Sequence, residues 1–498
     1  MFESAEVGHT ADKKTYEEQM PLLREALLEA QYALLEKPEH AVVILISGVD
    51  GAGKGETVNL LNEWMDPRHI ETVAFGAPSD EERERPAMWR FWRALPPKGK
   101  IGIMFGSWYT EPIIGRVTKK TSNAQLDQSI ADIIDFEKML AAEGVILIKM
   151  WFHLSKEAQE KRLKSLQKDP KTRWRVTKLD WERFEMFDRF RKYSTHTLSK
   201  TDTGNAPWTV VEATCPRYRS LYAGNVLLER LRAAIDEINR PPEKKPRAKK
   251  KVAATIDQRT VLSALDLSVA LGKKEYEKQL EKYQSKLNLL MRDPRAAQRS
   301  VIAVFEGMDA AGKGGTIRRI TGALDARHYR VVPIAAPTDE ERAQPYLWRF
   351  WRHIPRLGRV TIFDRSWYGR VLVERVEGFC PESDWRRAYA EINRFESELV
   401  NQGAIIAKFW LQVSDDEQLR RFKEREQTGF KRFKITEEDW RNRDKWPLYE
   451  VAVNDMVERT STEVAPWTLI EANDKYHARI KVLKTMCGTL EEALDKKS

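Results

Sequence analysis

A block of sequence recurs at a constant offset of 259 residues, and that recurrence constrains every later reading of this 498-residue chain. Residues 48–58 read GVDGAGKGETV and residues 307–317 read GMDAAGKGGTI. Both fit G-x-x-x-x-G-K, a turn whose backbone N–H groups and lysine (Lys54, Lys313) surround phosphate oxygens. Each follows an apolar β-like run, VVILIS at 42–47 and VIAVFE at 301–306, and each precedes an amphipathic helical pattern. That is the context a P-loop requires, because the loop must deliver phosphate to a helix N-terminus.

The offset holds far beyond the loops. Asp66-Pro-Arg-His69 matches Asp325-Ala-Arg-His328, Trp89-Arg-Phe-Trp-Arg93 matches Trp348-Arg-Phe-Trp-Arg352, and Ala206-Pro-Trp208 matches Ala465-Pro-Trp467. A solenoid would repeat every 20–50 residues, so this is tandem duplication of a whole domain. Within the second copy, strand patterns at 301–306, 330–334, 359–363, 404–411 and 467–471 alternate with helical patterns at 312–324, 383–402, 415–426 and 437–459. Further charged helices are expected at 13–36 and 273–291. The alternation predicts an α/β fold twice over: a parallel sheet flanked by helices, with the ligand at the carboxyl ends of the strands. The expected division is an N-terminal domain at 12–238, a basic Pro/Lys-rich linker at 239–256 and a C-terminal domain at 257–498.

Composition narrows the class. Of the net charge of +10, residues 240–251 (RPPEKKPRAKKK) hold +6, leaving +4 for the rest of the chain. The excess reads as a solvated, extended linker or, in the sharper alternative, as a tether that attracts polyanions. The run AVVILISGV at 41–49 is about half a membrane span. MFESAEVGHTADKK lacks the regions of a signal peptide, and three scattered cysteines (Cys215, Cys380, Cys487) suggest neither disulfides nor structural zinc. A cytoplasmic enzyme without nucleic-acid or membrane partners is expected.

The two copies differ in one direction. Asp364 and Arg365 end a strand where the first copy has Phe105 and Gly106. Arg370 stands opposite Glu111, Arg318 and Arg319 opposite Asn59 and Leu60, Arg425 opposite Leu166, Lys475 opposite Pro216 and Arg479 opposite Ser220. Each difference deprives the first copy of a potential metal ligand or phosphate-binding cation, so the second copy is the expected catalyst.

Phosphoryl transfer requires several oxygens to be neutralised and donor and acceptor to be held in line. Gly314 follows Lys313 where a usual P-loop has Ser or Thr, and the nearest hydroxyl is Thr316. The metal role therefore shifts to Asp309 in the loop and Asp364 at the next strand end, a number of carboxylates that suits Mg²⁺. A turn-forming Asp309 is the plainer alternative. The loop glycines Gly307, Gly312, Gly314 and Gly315 complete the cradle. The basic segment 418–434 with interleaved Phe fits a helical lid, with Arg421 and Arg425 as phosphate forks, or else a solvated charged helix. WRFWR at 348–352 fits core packing or base stacking, and Arg349 and Arg352 are harder to bury. TDEER at 338–342 reads as a capped helix start or, through Asp339, an acceptor site.

The signatures Gly-Met-Asp-Ala-Ala-Gly-Lys-Gly-Gly-Thr (307–316), Tyr-Leu-Trp-Arg-Phe-Trp (346–351), Phe-Asp-Arg-Ser-Trp-Tyr (363–368) and Ala-Pro-Trp (465–467) resemble the polyphosphate kinase 2 family. The resemblance runs through nearly all of both copies. It implies a P-loop kinase-like fold related to thymidylate kinases. It also implies Mg²⁺, with Mn²⁺ as the substitute; a homo-oligomer, of the dimer kind, is expected. The fused two-domain class phosphorylates AMP to ADP from inorganic polyphosphate, with the C-terminal domain active. The resemblance casts Asp309 and Asp364 as metal and catalytic carboxylates, and Lys313, Arg365 and Arg425 as phosphate stabilisers. For a donor with neither base nor sugar, Arg318, Arg319, Arg370, Lys475 and Arg479 are candidate channel cations. The competing readings are a polyphosphate-dependent nucleoside diphosphate kinase, an ATP-dependent nucleotide kinase, and a polyanion-binding protein with vestigial loops.

Overall fold

The structure, a computed structural model, describes residues 1–239, 260–427 and 437–495. The linker expected at 239–256 therefore lies, beyond its first residue, outside the described residues, as does the 428–434 end of the basic segment. The described residues form two compact units. Of these residues, the first comprises 1–78, 88–239 and 337–348, and the second 79–87, 260–336, 349–427 and 437–495.

In the first unit, β1 (Ala41–Gly48), β2 (Ile70–Ala74), β3 (Ile101–Phe105), β4 (Val145–His153) and β5 (Trp208–Glu212) form one sheet in the order β2-β3-β1-β4-β5. In the second, β6 (Val301–Gly307), β7 (Tyr329–Pro333), β8 (Val360–Asp364), β9 (Ile405–Gln412) and β10 (Trp467–Glu471) pair in the order β10-β9-β6-β8-β7. All eight strand pairings are parallel. The duplicated α/β architecture expected from the repeat is thus present.

The central strands are buried on both faces, which is why they read as unbroken apolar runs rather than alternating ones. Every residue of β9 is buried, and Val301–Phe305 of β6 are wholly hidden. In the first unit, the helices Lys13–Glu36 and Pro216–Asn239 supply Leu23, Leu27, Leu34, Leu227 and Leu231 to the same core cluster as Val42, Ile44 and Ile46.

Strand order reverses on either side of β6, and the crevice at such a switch point is where open α/β sheets bind ligands. There β6 ends on Gly307 with φ +152°, and a Cβ at that residue would lie 2.5 Å from the Leu411 carbonyl oxygen of β9. Only glycine lets the chain leave the sheet so close to its neighbour. The expected helix at 437–459 is two helices, Glu437–Asp444 and Trp446–Thr460, because Pro447 is suited to a first turn and not to an interior.

A conserved-by-offset polar bolt sits behind each switch point. Lys408 Nζ, with no exposed side-chain surface, donates to Glu396 Oε2 at 2.7 Å, Tyr368 OH at 2.8 Å and the Thr460 carbonyl at 2.7 Å. Trp367 Nε1 and Tyr368 OH donate to Glu396 Oε1 at 3.0 and 2.7 Å. Lys149, Glu137, Tyr109 and Trp108 repeat the arrangement in the first unit. Burial pushes the Glu396 carboxyl up and the Lys408 ammonium down, and the ion pair opposes both.

Candidate active site

The loop between β6 and the helix Lys313–Thr321 leaves one open cavity of about 450 Å³. Asp309, Lys313, Arg318, Asp364, Arg365 and Arg425 line it, together with Gly312, Gly314, Gly315 and the backbone after β7. Four cations and two carboxylates therefore face one space, an excess of +2. Register explains the meeting of loop and strand end. Phe305 of β6 lies opposite Asp364 of β8, so the residues that follow each strand emerge side by side.

Arg365 adopts φ 64°, a left-handed conformation costly for a residue with a Cβ. Its N–H donates to the Phe305 carbonyl at 2.9 Å, and its Nη2 donates to Asp309 Oδ1 at 3.1 Å. Asn442 Nδ2 donates to the other Asp309 oxygen at 2.9 Å. Lys313 Nζ donates to the Gly307 carbonyl at 2.7 Å. Although the residue is only partly covered, its ammonium is well shielded. Burial pulls its pKa down, Asp309 opposes that, and Arg365 adds to it.

The other expected residues divide by what already holds them. Thr316 is buried and its hydroxyl donates back to the Gly312 carbonyl at 3.2 Å. Arg421 donates to the carbonyls of Ala310 (3.0 Å), Ala472 (2.7 Å) and Asn473 (2.8 Å), so it clamps the loop to the chain after β10. Arg319 donates to the Gly315 carbonyl at 3.1 Å, and Arg349 to that of Ala335 at 3.0 Å. Arg479 lies 3.3 Å from where a Cβ on Gly315 would sit. Lys475 begins the helix Lys475–Asp495 and lies 5.4 Å from the Tyr476 ring. Arg352, partly exposed, directly follows the helix Trp348–Trp351.

None of Thr316, Arg319, Arg349, Arg352, Arg421, Lys475 and Arg479 lines the cavity, and neither do Arg370 and Asp339, which are held by acidic or basic neighbours of their own. Arg370 pairs with Glu374 at 3.0 Å and Asp384 at 3.6 Å. Asp339 is almost fully exposed and paired with Arg342 of its own helix, where Thr338 and Glu341 complete a capping box. Of the aromatics, Phe350 and Trp351 are buried against Trp367 and Phe395.

Sequence reading missed Glu306. This buried carboxylate of β6 accepts from Ser366 Oγ at 2.8 Å, tying the strand to the turn that carries Asp364 and Arg365. Burial raises its pKa, against the pull of Lys313. Its signal was the offset itself, since the first copy has Ser47 there. Asn442 and Gln418, whose Nε2 donates to the Asp309 carbonyl at 3.0 Å, were also missed.

An α/β unit with a glycine-rich loop at its switch point and a cationic cavity bearing two carboxylates defines a phosphoryl-transferring kinase. The chain belongs to the polyphosphate kinase 2 family, whose profile matches residues 10–239 and 270–498. It is 58% identical to a polyphosphate:AMP phosphotransferase from Pseudomonas aeruginosa and 54% identical to one from Pseudomonas syringae pv. tomato, with 100% of each chain covered in both cases. A crystal structure of a candidate polyphosphate kinase 2 from Pseudomonas aeruginosa PA01 superposes with a TM-score of 0.90 at 56% identity, covering 100% of both chains. Among the described residues no helix is long and apolar enough to cross a membrane.

Proposed function

We propose that the second unit transfers a phosphoryl group from inorganic polyphosphate to AMP, giving ADP, and that this cavity is the site. The observation that carries the reading is the convergence of Lys313, Arg318, Arg365 and Arg425 with Asp309 and Asp364 on one glycine-rich loop. The names of the full-length relatives support the donor and the acceptor.

In the step itself, an oxygen of the AMP phosphate attacks the terminal phosphorus of the donor. The bridging P–O bond breaks, and the shortened polyphosphate leaves with the electron pair. The attacking oxygen is already anionic near neutral pH, so the site needs no strong general base. Its task is to gather negative charge and hold three groups in line. Lys313 and the loop N–H groups would take the oxygens of the transferred group. Arg365 and Arg425 would flank them, and Arg318 would extend the cationic surface along the donor. Glu306, through Ser366, and Asn442, through Asp309, would position the two carboxylates.

The donor set fits Mg²⁺ or Mn²⁺: two hard carboxylates in one cavity leave the remaining positions to phosphate oxygens and water. Once bound, the ion would neutralise donor and acceptor oxygens together.

The test is ADP formation from AMP, long-chain polyphosphate and Mg²⁺ by the full chain, with and without chelator. Formation that ceases on chelation and fails with ATP as donor is the expected result. Equal turnover with ATP, or ATP formation from ADP at a comparable rate, would replace this reading with an ATP-dependent or a nucleoside-diphosphate kinase.

A further inference from the structure

The first unit's glycine-rich loop carries a carboxylate where the second has none. Glu56, in the first turn of the helix Lys54–Trp64, stands at the place of Gly315. Arg219 Nη2 reaches Glu56 Oε2 at 2.9 Å, while Arg162 Nη2 and Arg175 Nη1 reach Oε1 at 3.2 and 3.3 Å. These arginines come from three separate segments, the helices Pro216–Asn239 and Lys156–Lys168 and the short turn Arg173–Arg175. Three guanidinium groups from separate elements converging on one small anion at a helix N-terminus is the geometry with which proteins hold phosphate.

Arg219 makes the case stronger. It is 4% exposed, its Nη1 donates to the Ala52 carbonyl at 3.4 Å, and its Nε has no hydrogen-bond partner. The guanidinium lies flat on the loop: a Cβ on Gly53 would come within 1.6 Å of Nη1. A nearly buried cation with a donor to spare, resting on a phosphate-type loop, points to an anion. In the second unit the place of Arg219 is taken by Ala478, and the nearby arginine is the next residue, Arg479. Carboxylate and buried arginine are thus both present in one copy and both absent from the other, as expected if each neutralises its partner. Lys54, Arg162, Arg175, Arg183 and Arg219 surround Asp50 and Glu56, an excess of +3 that becomes +4, enough to draw an anion, once Glu56 is removed.

We infer that the first glycine-rich loop is an anion site filled from within: the Glu56 carboxylate occupies the place of a phosphate, and the loop accepts an inorganic oligophosphate only when that carboxylate is removed. Only the baseline of one site per natural chain rests on the reading of the second unit; the site gained on removing Glu56 is read as a difference and does not. The inference is tested by isothermal titration of the full chain with tripolyphosphate. The expected stoichiometry is one per chain for the natural protein, unchanged by Lys54→Ala. For Glu56→Gly two per chain are expected, returning to one in Glu56→Gly/Lys54→Ala. Glu56→Gln, which keeps the shape and loses the charge, should also gain weaker binding, and decides the matter if the glycine variant does not fold. ADP formation should be unaffected in both. A tripolyphosphate site in the natural chain that Lys54→Ala abolishes would overturn the inference. So would Glu56→Gly and Glu56→Gln chains that are folded by circular dichroism and bind no more than the natural one.

Discussion

The turn after β3 and the turn after β8 trace the same backbone with different residues. Gly106 has φ 81° and Arg365 has φ 64°, and in the loops Gly51 at 78° corresponds to Ala310 at 61°. Where the first unit uses glycine for a left-handed conformation, the second holds a residue with a Cβ there, at a cost of order 1–3 kcal/mol each. At Arg365 that strain places a guanidinium against Asp309. Beside it the second unit buries Glu306, where the first has a serine. The first unit is locally comfortable throughout this region and the second is not. In a duplicated fold, departures from local preference mark where chemistry is carried, because packing alone gives no reason to keep them.

The comparison breaks most visibly at Asp364. Asp364→Asn is expected to lower ADP formation at least about 100-fold, whereas Lys54→Ala leaves the rate near that of the natural chain. Equal losses in steady-state assays would mean that both units turn over. The buried bolts should separate stability from activity. Glu396→Gln and Glu137→Gln each leave a lysine buried without its counter-ion, at about 3–5 kcal/mol, read as a lowered melting transition by calorimetry. Only the Glu396 variant should also lose turnover at temperatures where it remains folded.

A smaller effect is expected at Arg365→Gly, which relieves the left-handed strain. Thermal stability should rise by up to about 1 kcal/mol while kcat falls, and a fall in both would mean the strain is fully compensated. The smallest effect concerns Glu306. Its folded carboxyl has a pKa raised above 4.5 by burial, so the folded chain keeps a proton that the unfolded chain releases. Its contribution to stability is therefore full below pH 4.5 and is lost as pH rises through the folded value. Melting curves across that range should show Glu306→Gln gaining on the natural chain as pH rises.

Much of this was legible in the residues. The strands of the second unit were expected within about one residue because parallel, doubly buried strands announce themselves as apolar runs. The cavity lining was legible because the two copies could be subtracted from one another, which isolated Asp364, Arg365, Arg318 and Arg425. What was not legible depended on side-chain direction. Arg421 looked like a phosphate fork and is spent on three carbonyls, because the chain after β10 returns beside the loop. Arg370 looked like a channel cation and lies between two acidic side chains. Glu306 sits in a run of apolar residues and reads as an exception of no consequence until the register brings Ser366 beside it.

The Lys408–Glu396 bolt has one more consequence. Trp367 and Tyr368, which it grips, directly follow Ser366 and the two residues that line the cavity. Warming that loosens this grip would disarm the enzyme while the sheet still stands, so inactivation should precede denaturation, and a bound oligophosphate should delay the first more than the second.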